Sequence, residues 1–321
     1  MFKSILVPLD GSPLAECVLP HVVAVARPFD ALVTLVHVCE PQQAPETVQP
    51  VNAVDWSIRT TEADAYLEKT AGRLQASDLE VRWRRLEGQP AEQVLAYARG
   101  NRVDLILVSS HGRSGLTGWN VSSVVQKIIA RARLSLMVVR AYRPTPGDLT
   151  ALAYSRLLVP LDCSQRSAQA VPLASMLARF HGAELLLAHI VPKPEMPRRR
   201  PLNAEELGLI EAITELNRAE AERYLEEVEA SVAPEGAAVR TELLVSENTA
   251  WSLHRLVDEQ GVDLVLMSAH GFSGSTKWPY GSLALNFIAY GSTPLLILQD
   301  LSPQQLAPTQ AEIAAREPTG H

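Results

Sequence analysis

Two loops of this sequence combine glycine, serine and histidine in the same order, a combination that could bind an anion. The first loop reads SSHGRSGLTGWNVSS at residues 109–123, and the second reads SAHGFSGSTKWPYGS at residues 268–282. Each loop follows a short apolar run and leads into a segment with helical spacing of its apolar residues. Successive backbone N–H groups that end at a helix N-terminus attract phosphate. The loops therefore predict one anion site in each half of the chain.

An aspartate follows the first apolar run of each half and could complete such a site. The carboxylates of Asp10 and Asp162 can accept hydrogen bonds from ribose hydroxyls or from a base amine. The next apolar run ends at Val38 in one half and at Ile190 in the other, where backbone groups could read an adenine edge. A different interpretation is that each aspartate only caps the helix that follows it. Together, carboxylate, apolar shelf and anion loop predict a mononucleotide pocket.

A histidine occupies the same place in both loops, and its role is open to two interpretations. His111 and His270 could bind a metal or act as bases, but each lacks a second histidine, cysteine or carboxylate cluster at ligand spacing. We therefore expect these histidines to orient the loops through hydrogen bonds. No metal ligand and no catalytic residue is predicted.

The sequence contains an internal repeat, so its two halves resemble each other. SILVPLDGS near the start matches RLLVPLDCS from Arg156, so that Asp10 pairs with Asp162 and His37 with His189 at one constant separation. We expect a first domain at residues 1–142, a linker at 143–154, a second domain at 155–300 and a polar tail at 301–321.

Apolar runs and helical segments alternate within each repeat. In the first repeat the predicted strands cover residues 4–10, 31–39, 79–87, 103–109 and 135–140. Their continuous apolar character is typical of parallel strands that are covered on both faces. The sequence NAEE from Asn203 predicts a capped helix that extends from residue 204 to about 231. The fold class is α/β, with two tandem open five-stranded parallel sheets flanked by helices in a Rossmann-like arrangement.

The composition of the chain limits the classes of partner that it is expected to bind. The net charge of −7 and the pI of about 5.7 argue against binding of nucleic acid through bulk electrostatics. No apolar run reaches the length of a membrane span, so a cytoplasmic protein is expected. The three cysteines include no CxxC pair, and we expect small buried residues rather than a disulfide framework or a zinc site.

Both repeats resemble the universal stress protein family. Nucleotide-binding members carry a loop of the form G-x2-G-x9-G-[ST], with an aspartate after the first strand. In the second repeat only the first glycine differs, as Ser268, and Gly271, Gly281 and Ser282 match. In the first repeat two of the three glycines are serines, at Ser109 and Ser122. The resemblance implies ATP binding, and we expect the second repeat to bind phosphate better.

The resemblance also implies a pairing of the last strands across a pseudo-two-fold axis, here within one molecule. Dimerisation of the whole chain is compatible with this but not required. The predicted binding residues of the second repeat are Asp162, Ile190, Ser268, His270, Gly271, Ser273, Gly274, Gly281 and Ser282; those of the first are Asp10, Val38, Ser109, His111, Gly112, Ser114, Gly115, Ser122 and Ser123.

The leading functional hypothesis is a stress-response regulatory protein that binds an adenine nucleotide, ATP with or without Mg²⁺, and hydrolyses it very slowly or not at all. No Walker A motif is present. The alternative is a scaffold or interaction protein with vestigial pockets, which the serines of the first repeat favour. A third hypothesis, an adenylyl transferase or PP-loop ATPase, lacks its characteristic motifs.

Overall fold

The computed structural model describes residues 2–41, 53–113, 115, 121–141, 147–194, 201–233, 236–272 and 278–301. Within them, each repeat alternates strands and helices as the apolar pattern predicts. The strands are β1 Ser4–Pro8, β2 Leu32–Cys39, β3 Val81–Glu87, β4 Leu105–Ser109, β5 Ser135–Val139, β6 Arg156–Leu161, β7 Glu184–Pro192, β8 Ala238–Ser246, β9 Leu264–Ser268 and β10 Leu295–Leu298. The helices are α1 Leu19–Ala26, α2 Ala53–Gln75, α3 Pro90–Gly100, α4 Ser123–Arg131, α5 Gln165–Ala168, α6 Val171–His181, α7 Ala204–Val232, α8 Thr249–Gln260 and α9 Ser282–Tyr290.

The two repeats form one continuous sheet. Its strand order is β3-β2-β1-β4-β5-β10-β9-β6-β7-β8, parallel within each repeat. The last strands, β5 and β10, pair antiparallel, with Val138 opposite Leu295 and Leu136 opposite Ile297. Both are buried apolar strands, and their pairing removes two exposed edges. The expected α/β fold and the pairing of the last strands within one molecule are confirmed.

Helices cover both faces of the sheet and form two apolar cores. One core lies under α1, α2, α6 and α7, and the other lies under α3, α4, α8 and α9. The predicted cap of α7 is present, since the Asn203 side chain accepts from Glu206 N while the Glu206 carboxylate accepts from Asn203 N. Among the described residues, no helix combines the length and the apolar character that a membrane crossing needs.

Part of the predicted linker packs against the first repeat. Tyr154 is fully buried, and its hydroxyl forms a 2.8 Å hydrogen bond with His21 Nδ1. Of the predicted tail, residues 302–321 lie outside the described residues.

Candidate functional site

The candidate sites lie beyond the carboxyl ends of the strands, where the strand order reverses. In the first repeat this point is between β1 and β4, and in the second it is between β6 and β9. Open α/β sheets bind ligands at such a crevice. Asp162 stands directly after β6, Asp10 stands two residues after the end of β1, and the glycine loops follow β4 and β9.

Each aspartate ties the glycine loop to the start of its repeat. Asp162 Oδ2 accepts from Phe272 N at 2.6 Å, while Oδ1 accepts from Ser164 N at 3.1 Å and from Ser164 Oγ at 2.5 Å. In the first repeat, Asp10 makes the same kinds of bond with Arg113 N and with Ser12. The aspartates therefore hold the loop against the following turn, and the interpretation that each only caps a helix is wrong, because the N-cap of α5 is Ser164.

The charged form of Asp162 is the favoured one. Burial by itself would raise the pKa of this carboxyl group. Hydrogen bonds from the Ser164 side chain, from Phe272 N and from Ser167 outweigh burial, so the pKa lies below its ordinary value. At neutral pH the site therefore contains a fixed negative charge beside the loop.

The second glycine of each loop is required by the carboxylate. A Cβ atom added at Gly271 would stand 2.0 Å from Asp162 Oδ2, and one at Gly112 would stand 2.1 Å from Asp10 Oδ2. Any side chain at these positions would push the aspartate away from the loop N–H group. These two glycines thus allow the aspartate carboxylate to approach the loop backbone closely.

Serine replaces the first glycine of the family motif in both repeats without distorting the chain. Ser109 and Ser268 are the last residues of their strands, so they have the extended backbone that any residue tolerates. The Ser268 hydroxyl donates to Arg166 O at 2.6 Å, whereas the Ser109 hydroxyl has two carbonyl acceptors within reach, His111 O at 2.6 Å and Leu14 O at 2.9 Å. The Ser268 hydroxyl therefore ties its strand end to the segment that follows Asp162, and the Ser109 hydroxyl shares one proton between the matching segment and its own loop.

His270 orients the second loop, as predicted. Its Nε2 donates to Trp278 O at 2.8 Å, and its Nδ1 is 2.7 Å from Asp300 Oδ1. Both ring nitrogens are thereby engaged, and both side chains of the pair are fully buried. The sequence does not single out Asp300, because a lone carboxylate after the last strand carries no recognisable pattern. In the first repeat His111 Nδ1 bonds with Ser110 Oγ at 3.1 Å.

The last position of the loop motif distinguishes the repeats. Gly281 N donates to Ala269 O at 2.7 Å, and Ser122 N donates to Ser110 O at 2.8 Å, so both loops close in the same way. Ser122 is the N-cap of α4, and its hydroxyl accepts from Val125 N at 3.4 Å. Gly281 is the N-cap of α9 and supplies no side-chain bond. The first turn of α9 is therefore left for another acceptor.

The cavities differ accordingly. The cavity at the second glycine loop measures about 840 Å³, and that at the first about 280 Å³, with a further cavity of about 820 Å³ that shares the lining residues His37 and Arg113 with it. The second is lined by the predicted residues Asp162, Ile190, Ser268, His270, Gly271, Gly281 and Ser282. The first is lined by the predicted residues Asp10, Val38, Ser109, His111, Gly112, Ser122 and Ser123. Drug-sized ligands occupy cavities of roughly 300–1,000 Å³.

The two glycine loops contain four more of the predicted binding residues. Ser114, Ser273 and Gly274 lie outside the described residues. Gly115 is described, and its N–H group donates to Gly112 O at 2.8 Å in a local turn.

Within the described part of the chain, no group of three or more His, Cys, Asp or Glu side chains could hold a metal ion. Cys163 is exposed, which corrects the expectation that all three cysteines are buried.

Comparison with known proteins matches each repeat separately. The model of the family described as "Universal stress protein family" matches residues 1–140 and again residues 153–299. Universal stress protein MJ0531 of Methanocaldococcus jannaschii is 26% identical over 144 residues, which cover 44% of this chain and 83% of that protein. Universal stress protein MJ0577 of the same organism is 26% identical over 155 residues and covers 44% of this chain and 96% of that protein.

Solved structures match the whole chain. A universal stress protein of Archaeoglobus fulgidus superposes with a TM-score of 0.63 at 15% identity, covering 92% of this chain and 98% of that one. Protein PA1789 of Pseudomonas aeruginosa superposes with a TM-score of 0.65 at 14% identity, covering 98% of both chains. At these identities the structures establish the fold, and the family model covers both repeats. The chain therefore belongs to the universal stress protein family, as a tandem pair of its domains.

Proposed function

We propose that the second repeat binds an adenine nucleotide, with ATP as the expected ligand, and that occupancy regulates the protein in a stress response. One observation carries the proposal. The cavity of about 840 Å³ extends from the end of β7 to the N-terminus of α9, where Gly281 leaves the first turn without a side-chain cap. Backbone N–H groups and the helix dipole favour phosphate at such a place.

The other end of the cavity suits the ribose and the adenine ring of the nucleotide. A carboxylate offers about four lone-pair directions, and Asp162 accepts three hydrogen bonds from protein groups. One direction on Oδ2 is left for a ribose hydroxyl. Ile190 ends the apolar wall next to it, together with Leu253 and Met267, which suits the face of an adenine ring. Mg²⁺, where it accompanies ATP, would be held mainly by phosphate oxygens and water.

We also propose that the protein regulates by binding rather than by catalysis. Hydrolysis needs a group that positions or deprotonates the attacking water. His270, the histidine of the loop, has both ring nitrogens in hydrogen bonds to Asp300 and Trp278, so it is not placed to accept a proton. Its arrangement instead supports a loop of fixed shape.

For the first repeat a scaffold role is the better candidate. The Ser122 hydroxyl occupies the helix end that phosphate would need, and the cavity measures only about 280 Å³. In that case the first repeat would support the second through the shared sheet.

The experiment is to denature the purified chain and identify released ATP, ADP or AMP by mass spectrometry. The chain stripped of nucleotide is then titrated with MgATP, ADP and AMP. Asp162→Ala should weaken binding at least tenfold, because it removes a ribose partner and releases Phe272 N. Asp10→Ala is the matched control and should change total binding much less.

Three results would each contradict a part of the proposal. The absence of released nucleotide together with the absence of any thermal shift in millimolar MgATP would leave only the scaffold role. Equal effects of the two alanine variants would show that the repeats are not ranked as proposed. Steady release of ADP from added ATP would overturn the non-catalytic part alone.

A further inference from the structure

The outer side of α8 and α9 in the second repeat exposes three large apolar side chains. Trp251 on α8 is 56% exposed, and Leu285 and Tyr290 on α9 are 42% and 72% exposed. Trp251 stands one turn before His254, and Tyr290 stands one turn after Asn286. His254 Nε2 and Asn286 Oδ1 join the two helices through a 2.9 Å hydrogen bond. We call Trp251, Leu285 and Tyr290 the apolar surface of the second repeat.

The first repeat has polar side chains at the same positions. The counterparts, at one constant separation along the chain, are Glu92 for Trp251, Gln126 for Leu285 and Arg131 for Tyr290. Arg131 Nη1 lies 3.8 Å from Glu92 Oε1, so an ion pair takes the place of the two aromatic rings. The fold itself therefore does not require apolar side chains here, and the apolar surface is a property of the second repeat.

The composition of the apolar surface is that of a docking site. Single apolar side chains scattered over a protein are ordinary, whereas neighbouring ones mark a place where another segment binds. Tryptophan and tyrosine contribute most when such a surface is covered, because each buries a large area with few rotatable bonds. Two of the three residues of the apolar surface are of these types.

The chain leaves the second repeat close to this surface. Ala269 N donates to Leu298 O at the end of β10, and Ala269 O accepts from Gly281 N at the start of α9, each at 2.7 Å. The end of β10 and the start of α9 therefore lie at the same edge of the sheet. From Leu301, which is buried, the sequence continues as SPQQLAPTQAEIAAREPTGH. We call this segment, residues 302–321, the tail.

The tail is long enough to cover the apolar surface. An extended chain spans about 3.5 Å per residue, so Leu306 can lie up to about 17 Å from Leu301, and Ile313 up to about 40 Å. α9 rises by only about 12 Å between Ser282 and Tyr290. Leu306 and Ile313, the two large apolar residues of the tail, are thus both within reach.

The charges of the tail and of the apolar surface are complementary. Glu312 precedes Ile313 in the tail. Arg255 stands beside Trp251, with its guanidinium carbon 5.0 Å from the ring centroid. It pairs with Glu259 at 3.2 Å, an exposed ion pair of a kind that contributes little and can exchange partners. A carboxylate next to an apolar side chain therefore suits this surface.

We propose that the tail docks on the apolar surface of its own chain, with its two large apolar side chains packed against the aromatic rings. The contact is intramolecular, so its strength depends on the effective concentration of the tethered tail and not on the protein concentration. A docked tail withholds the surface from other proteins, and a partner that displaces the tail gains access to it. The proposal does not depend on nucleotide binding.

The test uses the full chain and the methyl NMR signal of Ile313, assigned by its loss in Ile313→Val. Aromatic rings shift the signals of methyl groups packed against them, so this signal should lie away from the position of a free isoleucine. Trp251→Glu combined with Tyr290→Arg gives this surface the charged pair of the first repeat. The double variant should move the docking equilibrium at least about tenfold towards the free tail, because charged groups replace the two rings.

Phe180→Ser is the matched control. Phe180 is an exposed aromatic residue of the same repeat, but it lies on α6, which covers the opposite face of the sheet. The Ile313 signal should stay where it is in this variant.

The proposal fails in any of three cases. An Ile313 signal at the position of a free isoleucine in the wild type would mean that the tail is not docked. A displaced signal that the double variant leaves unchanged would mean that the tail binds elsewhere. A displacement that weakens on dilution would assign the surface to a second copy of the chain. No nucleotide is added, so failure here and failure of the proposed function are separate results.

Discussion

The two repeats fold the same loop and differ in what the loop leaves open. Gly281 and Ser122 have nearly the same backbone, with φ of −74° and −68°, and both close their loop through the same hydrogen bond. The glycine is therefore not needed for an unusual φ. Its effect is to omit a hydroxyl that, in the first repeat, already caps the helix. One side chain separates an occupied helix terminus from an available one.

The side-chain contacts on either side of the paired strands β5 and β10, here called the joint, also differ between the repeats. The Tyr280 hydroxyl of the second repeat donates to Leu134 O, just before β5, at 2.8 Å. Arg140, just after β5, is buried and donates through Nη2 to Phe287 O at 2.7 Å and to Ile288 O at 3.1 Å. The first repeat thus fixes both ends of α9, the helix that carries the proposed phosphate site.

The largest effect is expected from a variant that removes the Arg140 contacts of this joint. Arg140→Leu should lower the free energy of unfolding by about 3 kcal/mol, because it leaves the last carbonyl groups of α9 buried without their charged donor. Urea unfolding followed by circular dichroism measures the change.

Gln299→Leu provides the matched control for Arg140→Leu. Gln299 occupies the equivalent position after β10, and its side chain donates to Pro279 O at 3.1 Å. We expect a loss of about 1 kcal/mol for this neutral group. Equal losses in the two variants would show that the joint is symmetric in energy although it is unequal in its contacts.

Exchange of the last motif residue sharpens the comparison of the loops. Gly281→Ser should weaken nucleotide binding about tenfold, because a hydroxyl cap would compete with phosphate for the first N–H groups of α9. Isothermal titration of the stripped protein measures the affinity. Ser122→Gly should cost only a few tenths of a kcal/mol in stability, since glycine is itself a tolerated N-cap.

The reciprocal variant also has a binding outcome. Ser122→Gly should raise the affinity of the first repeat for nucleotide, which would appear as a second binding event in the titration. An unchanged affinity in Gly281→Ser would show that phosphate does not contact the start of α9. The proposed difference between the repeats would then have to come from cavity size alone.

Much of the fold could be predicted because it depends on local patterns. The first predicted strand, residues 4–10, is observed as Ser4–Pro8, and the helix predicted from residue 204 begins there with its cap. Asp300 and Arg140 could not be found in this way. Their importance arises only when distant segments meet, as when Asp300 reaches His270 and Arg140 reaches α9. A lone charged residue at the end of a strand has no spacing that reveals its partner.

The smallest expected effect concerns the first motif position, where both repeats depart from the family in the same way. Ser268→Gly restores the family residue but removes the hydroxyl bond to Arg166 O, and Ser109→Gly removes the hydroxyl that lies between His111 O and Leu14 O. Each should cost about 0.5–1 kcal/mol in stability, as for one hydrogen bond. Nucleotide affinity should stay within about twofold of wild type, since the serine hydroxyl points to the protein carbonyl rather than to the helix terminus. If Ser268→Gly strengthened binding markedly, the serine would obstruct the ligand, and the contrast between the repeats could not be assigned to Gly281 and Ser122 alone.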